Sequence, residues 1–252
     1  MNHQNRQMTR RWLIACTPLL TLLVLVPGGG WALALLAPLT LYPSFAERVR
    51  ERDYGGAWRL GMLWALLLSA GVILAVFTLP GPTAERIVEG ERYRQEMFSW
   101  IATGEGKENE WRQFLPEHLL HLAVFVALTW LSGGYLGLVL GALLTAYMSY
   151  FVGSYAAASG HPLLGSVAAW VPWSVIRVFA FVLFGSLFAR PLLVKKVWPF
   201  DRTEYRLMAV ALAGIATDIL MKIFLARHYG LFLRQMARSA GDIVASLGAW
   251  PL

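Results

Sequence analysis

The chain has 252 residues, 57% hydrophobic and only 15% charged, against roughly 25% charged in soluble domains. Its longest polar segment, 83–115, is too short for a soluble domain, which needs about 50 residues or more. The formal net charge of +7 does not point to a nucleic-acid partner, because the basic residues stand beside apolar runs, where they orient a chain in a membrane. A single cysteine, Cys16, inside an apolar run, excludes an intrachain disulfide framework and a multi-cysteine metal site.

Arg6, Arg10 and Arg11 precede the apolar run 12–26, a pattern that imitates a signal peptide, with Ala32-Leu33-Ala34 as a cleavage-like site. A second apolar run, 31–45, follows directly, and Pro27-Gly28-Gly29-Gly30 reads as a tight turn between two retained spans or a dipping hairpin. The loop 47–53, with Arg48, Arg50 and Arg52, is expected on the cytoplasmic side by the positive-inside rule, and the N-terminus with it. A third span is expected over 57–79. The loop 83–115 leans acidic and belongs on the outer side; Ile87, Met97, Trp100 and Ile101 predict a helix lying on the membrane surface.

Further spans are expected over 117–131, 134–157, 163–189 and 207–226, with turns at 132–134 and 159–162. Arg190, Lys195, Lys196, Arg202 and Arg206 make a second basic, inward-facing loop, and Arg227, Arg234 and Arg238 mark a basic C-terminal helix. Seven crossings from a cytoplasmic N-terminus place that basic tail outside, against the rule; span seven and the first hairpin are the candidates for a re-entrant or surface course. The expected fold is therefore all-α, a polytopic bundle of about seven spans in one integral membrane domain of the cell membrane.

The fifth span carries the most ordered pattern. Gly133, Gly137, Gly141, Thr145, Ser149, Gly153 and Ala157 recur every fourth residue, with only apolar or aromatic residues between them. Small residues at this spacing let helix backbones approach closely, a main source of association in lipid. The stripe drifts about 40° per step around a helix of 3.6 residues per turn, so it serves more than one neighbour or a right-handed crossing.

Three intramembrane residues could carry chemistry. Asp218 and Lys222, four apart, read as an i,i+4 pair satisfying itself on one helix face, or as a proton or ion relay. Arg177 has no acid within a turn of it; its five donors need a partner on another helix, Asp218 being one choice. Glu117, His118 and His121 are the only metal-ligand cluster, but their spacing is not HExxH and a third strong ligand is missing, so neither a metal nor another cofactor is expected. His161 and His228 read as turn and interface residues. Ser166 and Ser174 have no base at a motif spacing, and no Walker A loop or G-x-S-x-G elbow occurs.

Residues 114–193 resemble the stage II sporulation protein M family of integral membrane proteins. Phe151-Val152-Gly153 falls near the position of that family's N-G-F-x-x-G element. The stretch 172–180 keeps the spacing of its P-H-G-[IV]-x-E-x-P-A signature: Pro172, Val175 and Ala180 match, while Trp173, Ser174, Arg177 and Phe179 replace the His, Gly, Glu and second Pro. The resemblance implies a subunit of a membrane complex without catalytic chemistry of its own. The residues lead the same way, to a non-enzymatic subunit packed among other membrane proteins and lipids through the 133–157 stripe. A small transporter or channel component using Arg177, Asp218 and Lys222 is the alternative, and a membrane enzyme with a metal near His118 and His121 the third.

Overall fold

The computed structural model describes the backbone of residues 3–198 and 200–238 and the side chains of 11–198 and 200–237, so the side chains of Arg6, Arg10 and Arg238 and the chain beyond 238 lie outside the described residues. The described chain is helical throughout: α1 (His3–Leu20), a 3-10 turn (Thr21–Leu25), α2 (Gly29–Arg50), α3 (Tyr54–Thr78), α4 (Pro80–Arg86), α5 (Gly90–Thr103), α6 (Trp111–Ser132), α7 (Tyr135–Ala158), α8 (Pro162–Ala169), α9 (Pro172–Phe188), α10 (Arg190–Leu193) and α11 (Arg202–Arg238). Five stretches are long and apolar enough to cross a membrane: α3, α6, α7, α9 with α10, and α11. The expected first two spans form α1 with its 3-10 turn and α2, which fall outside that set.

Three expectations are corrected. The single span over 163–189 is two helices: the helical conformation is disfavoured for the residue before Pro172, and Val171 is extended (φ −58°, ψ 135°), breaking the run between α8 and α9. The helix of the polar loop turns its apolar stripe into the protein. Met97, Phe98, Trp100 and Ile101 of α5 are buried in protein, and Ile87 caps α4 instead. Two helices cover α5: α7, whose Phe151 and Tyr155 meet Phe98, and α11, which at 37 residues is about 55 Å long, well beyond the ~30 Å of a hydrocarbon core, and reaches α5 with its final turns. Arg234 Nε donates to the Ile101 carbonyl at 2.7 Å, and Gly230 lies so close to Trp100 that a Cβ there would sit 3.1 Å from the ring. The basic C-terminal helix is thus the continuation of span seven.

Helix α7 is central, packing on α2, α3, α5, α6 and α8, while α9 and α11 form the most extensive pair. The bundle has two chemically distinct ends. At the basic end meet the α2–α3 loop, the start of α7, α10 and the start of α11. There Asp201 and Glu204 cap α11 reciprocally: Asp201 Oδ1 accepts from the backbone N–H groups of Thr203 and Glu204, and Glu204 Oε2 accepts from that of Asp201. The buried Glu204 carboxylate also takes hydrogen bonds from Arg190 (2.6 Å) and from the Tyr54 hydroxyl, tying α3, α10 and α11 together. Arg52 closes on Asp201 at 2.8 Å. The opposite, mixed-charge end holds α4, α5, α8, the start of α6 and the last turns of α11.

Candidate functional site

The intramembrane charges meet where α9 and α11 cross, but not as the i,i+4 reading expects. Asp218 and Lys222 do not pair with each other. Arg177 on α9 grips Asp218 with two parallel bonds, Nε to Oδ2 at 2.9 Å and Nη2 to Oδ1 at 3.0 Å. Such a bidentate fork is the strong form of the contact. One turn further along α11, Lys222 Nζ donates to Glu108 Oε1 at 2.8 Å and sits 4.4 Å from the centre of the Phe114 ring. Glu108 also accepts from Trp173 Nε1 at 3.3 Å. The physical reason is crossing geometry: Asp218 faces α9, whereas Lys222, a turn nearer the mixed-charge end, meets the α5–α6 loop folding back over the bundle. Both α11 residues are almost wholly buried, Asp218 at 0% and Lys222 at 2% exposure. Charges so placed in lipid need partners, and each has one from another element.

His118 completes the group. Its ring packs edge-on against the Phe114 ring, 5.3 Å between centres, while Nε2 is buried, has no hydrogen-bond partner and lies 3.8 Å from Asp218 Oδ2. Glu117 instead approaches Lys107, Nζ to Oε2 at 3.6 Å. The Glu117–His118–His121 trio therefore does not converge, and among the described residues no three His, Cys, Asp or Glu gather as a metal would require.

Two cavities meet at this group. The outer one opens among Glu89, Arg92, Glu96, Lys107 and Glu117 at the mixed-charge end; the inner one runs on toward the basic end between Phe45, Trp64, Phe125, Phe181 and Val182. His118, His121, Leu144, Tyr147, Met148, Ser174 and Arg177 line both. The inner cavity offers about 90 Å³ to the centre of a water molecule and the outer about 300 Å³, room for several waters, each of which needs roughly 10–15 Å³ on that measure. At the mouth, burial pushes the Tyr93 phenol well above its ordinary value, so that it remains a hydrogen-bond donor. Beside it, burial pushes the Glu91 carboxyl up, but hydrogen bonds from Arg94, Gln95 and Tyr150 outweigh this and hold it below the ordinary glutamate value.

The small-residue stripe divides between packing and lining. Gly133 abuts Leu193 and Tyr42, Gly153 abuts Val76 of α3, and a Cβ on Gly137 would sit 2.0 Å from Thr129 Oγ1 of α6. Ser149 is buried, its hydroxyl bonded to the Thr145 carbonyl, and Ala157 is exposed. Gly137, Gly141 and Thr145 line the inner cavity, and a Cβ on Gly141 would meet nothing within 4 Å. The stripe thus meets several neighbours of its own chain, and its middle faces the cavity. The 40° drift per step carries the stripe from one neighbouring helix, across the cavity, to another.

Sequence reasoning did not single out Glu108, Tyr147, Tyr93 or Ser174 as part of this site. Glu108 stands among several acids of one loop, and nothing local distinguishes the one that closes on a buried lysine. Ser174, three residues before Arg177, is brought to the cavity by the same helix face. Comparison of the chain with protein-family models, curated proteins and solved structures yields no match.

Proposed function

We propose that this protein is a membrane transporter or channel component that admits a small solute to the charged centre at Arg177, Asp218, His118 and Lys222. The observation that carries this reading is the pair of adjoining cavities, which lead from a polar mouth to an ion pair in the middle of the bundle. Intramembrane ionisable residues beside a water-sized cavity are the usual mark of a solute or ion path. The assembly-subunit reading rested on a free stripe of small residues. Little of that stripe is free: Gly133, Gly137 and Gly153 meet α10, α6 and α3 of the same chain, Gly141 and Thr145 line the cavity, and Ser149 is buried.

In this proposal α1 with its 3-10 turn and α2 also lie in lipid, giving seven crossings. Their outward side chains, among them Trp12, Leu19, Leu22, Leu35 and Leu39, are large, apolar and exposed. The basic end is cytoplasmic by the positive-inside rule, the N-terminus with it, and the cavity mouth faces outward. The test is cysteine accessibility in a Cys16→Ser background. On intact cells, a membrane-impermeant thiosulfonate should label His121→Cys and Gly141→Cys, but not Leu68→Cys in the packed core. Labelling of Gly141→Cys no faster than Leu68→Cys refutes the conduit.

A further inference from the structure

We infer that Arg177 is a carboxylate-binding group held shut by Asp218, and that protonation of His118 opens it, so that the solute is a small apolar carboxylate taken up together with a proton. This deepens the transporter reading and rests on it. The guanidinium fork of Arg177 already holds a carboxylate bidentately, that of Asp218, so a solute carboxylate entering the cavity finds a site of its own geometry occupied by a side chain. Asp218 is fully buried, whereas the Arg177 side chain is 23% exposed and lines both cavities, so the guanidinium is the accessible member of the pair. Beyond it the inner chamber is walled by Phe45, Trp64, Leu122, Phe125 and Phe181, surfaces that suit the apolar body of such a solute.

His118 supplies the exchange. In the neutral ring with its proton on Nδ1, the buried and unpartnered Nε2 presents a lone pair to Asp218 Oδ2 across 3.8 Å. Two acceptors cannot bond each other. A proton delivered to Nε2 from cavity water turns the gap into an N–H to carboxylate contact and gives Asp218 a second cationic partner. Arg177 can then exchange Asp218 for the entering carboxylate with every charge still paired. The groups that bias this proton are named by element: Glu117 and His121 on α6, Tyr147 on α7, Arg177 on α9, and Asp218 with Lys222 on α11. Glu108 from the α5–α6 loop holds Lys222, and Tyr93 of α5 lines the same outer cavity. The balance of the step is one proton and one anion gained, with no net charge added to the centre.

The test is binding of benzoate, with benzamide as its neutral isostere, to the purified full-length protein in nanodiscs, read by quenching of tryptophan fluorescence between pH 5.5 and 8. Benzoate is expected to bind and benzamide not, with affinity falling up to about tenfold per unit rise in pH, the slope set by one linked proton. His118→Asn should flatten that slope, and Asp218→Asn should bind benzoate at every pH because Arg177 is then free. Equal affinity for the two probes, a slope that survives in His118→Asn, or pH-dependent binding by Asp218→Asn overturns the proposal. Gel filtration of each variant separates misfolding from loss of binding; because Asp218→Asn is expected to gain binding, its outcome does not depend on a loss. No benzoate binding together with a reactive Gly141→Cys overturns the carboxylate site and leaves the conduit reading; no binding and no labelling overturns both.

Discussion

A one-carbon change at two glycines of α7 measures directly which part of the stripe packs and which part lines the cavity. A Cβ on Gly153 would lie 2.9 Å from Val76 Cβ, 3.1 Å from its Cγ2 and 3.3 Å from its Cγ1. All three atoms belong to a β-branched side chain whose Cβ cannot move without the backbone, so rotation of Val76 offers no relief and α3 must shift from α7. Overpacking of that kind costs roughly 1–3 kcal/mol. The gain of alanine over glycine inside a helix, roughly 0.5–1 kcal/mol, offsets only part of it. Gly153→Ala is therefore expected to destabilise the protein by up to about 2.5 kcal/mol. At Gly141 the same methyl meets nothing within 4 Å, so only the helix gain remains and Gly141→Ala should be neutral to stabilising by up to ~1 kcal/mol. Reversible unfolding in mixed detergent with increasing dodecyl sulfate, followed by circular dichroism, reads both. If the two variants lose stability equally, the division of the stripe is wrong.

Three further outcomes are expected. Asp218→Ala should destabilise the same protein by roughly 2–4 kcal/mol, somewhat less than for a fully dry pair because Arg177 reaches the cavity; adding Arg177→Met should restore most of the loss, and an additive double mutant would contradict the ion pair. Glu204→Gln, which removes the charge that binds Arg190, Tyr54 and the start of α11, should cost about 1–3 kcal/mol in the same assay and leave benzoate binding at the distant Arg177 intact. Glu91 has a folded-state pKa below its ordinary 4.5, so its contribution is complete above about that pH and is lost as pH falls through the lower folded value; the acid limb of the stability curve should be shallower in Glu91→Gln, and an unchanged limb refutes the assignment.

Much of the architecture was legible because lipid imposes strong rules on sequence. Long uncharged runs could only be helices, and α3, α6 and α7 lie within a few residues of the expected 57–79, 117–131 and 134–157. The failures share a cause: they depend on which elements meet. A surface position for Met97, Trp100 and Ile101 follows from an amphipathic pattern alone, since burial by lipid headgroups and burial by another helix select the same side chains. Only the packing of α7 and the full length of α11 against α5 decide between them. Arg177 and Asp218 could be nominated as intramembrane charges, yet the choice between Asp218–Lys222 and Asp218–Arg177 turns on the α9–α11 crossing, which hydropathy does not encode. Glu108 was hidden for the same reason, 114 positions from the lysine it meets.

The arrangement of the pairs argues against a purely structural purpose. A buried ion pair contributes little net stability over apolar side chains of similar volume, and in lipid its desolvation is no cheaper. A bundle needing only to hold α9 against α11 could do so with the Phe184, Ala211 and Ile215 contacts that already join them. Here the charges instead stand beside space for water, with one unpartnered imidazole nitrogen in reach of the shared carboxylate. At the basic end the opposite holds: Glu204 is bonded by Arg190, by Tyr54 and by the Asp201 backbone N–H just before α11, and Asp201 is held by Arg52. One end of the bundle is thus open to water down to a pair with an alternative partner nearby, and the other is closed by groups bonded across three helices. In the transport reading proposed above, that asymmetry gives the charged centre access from the mixed-charge end only.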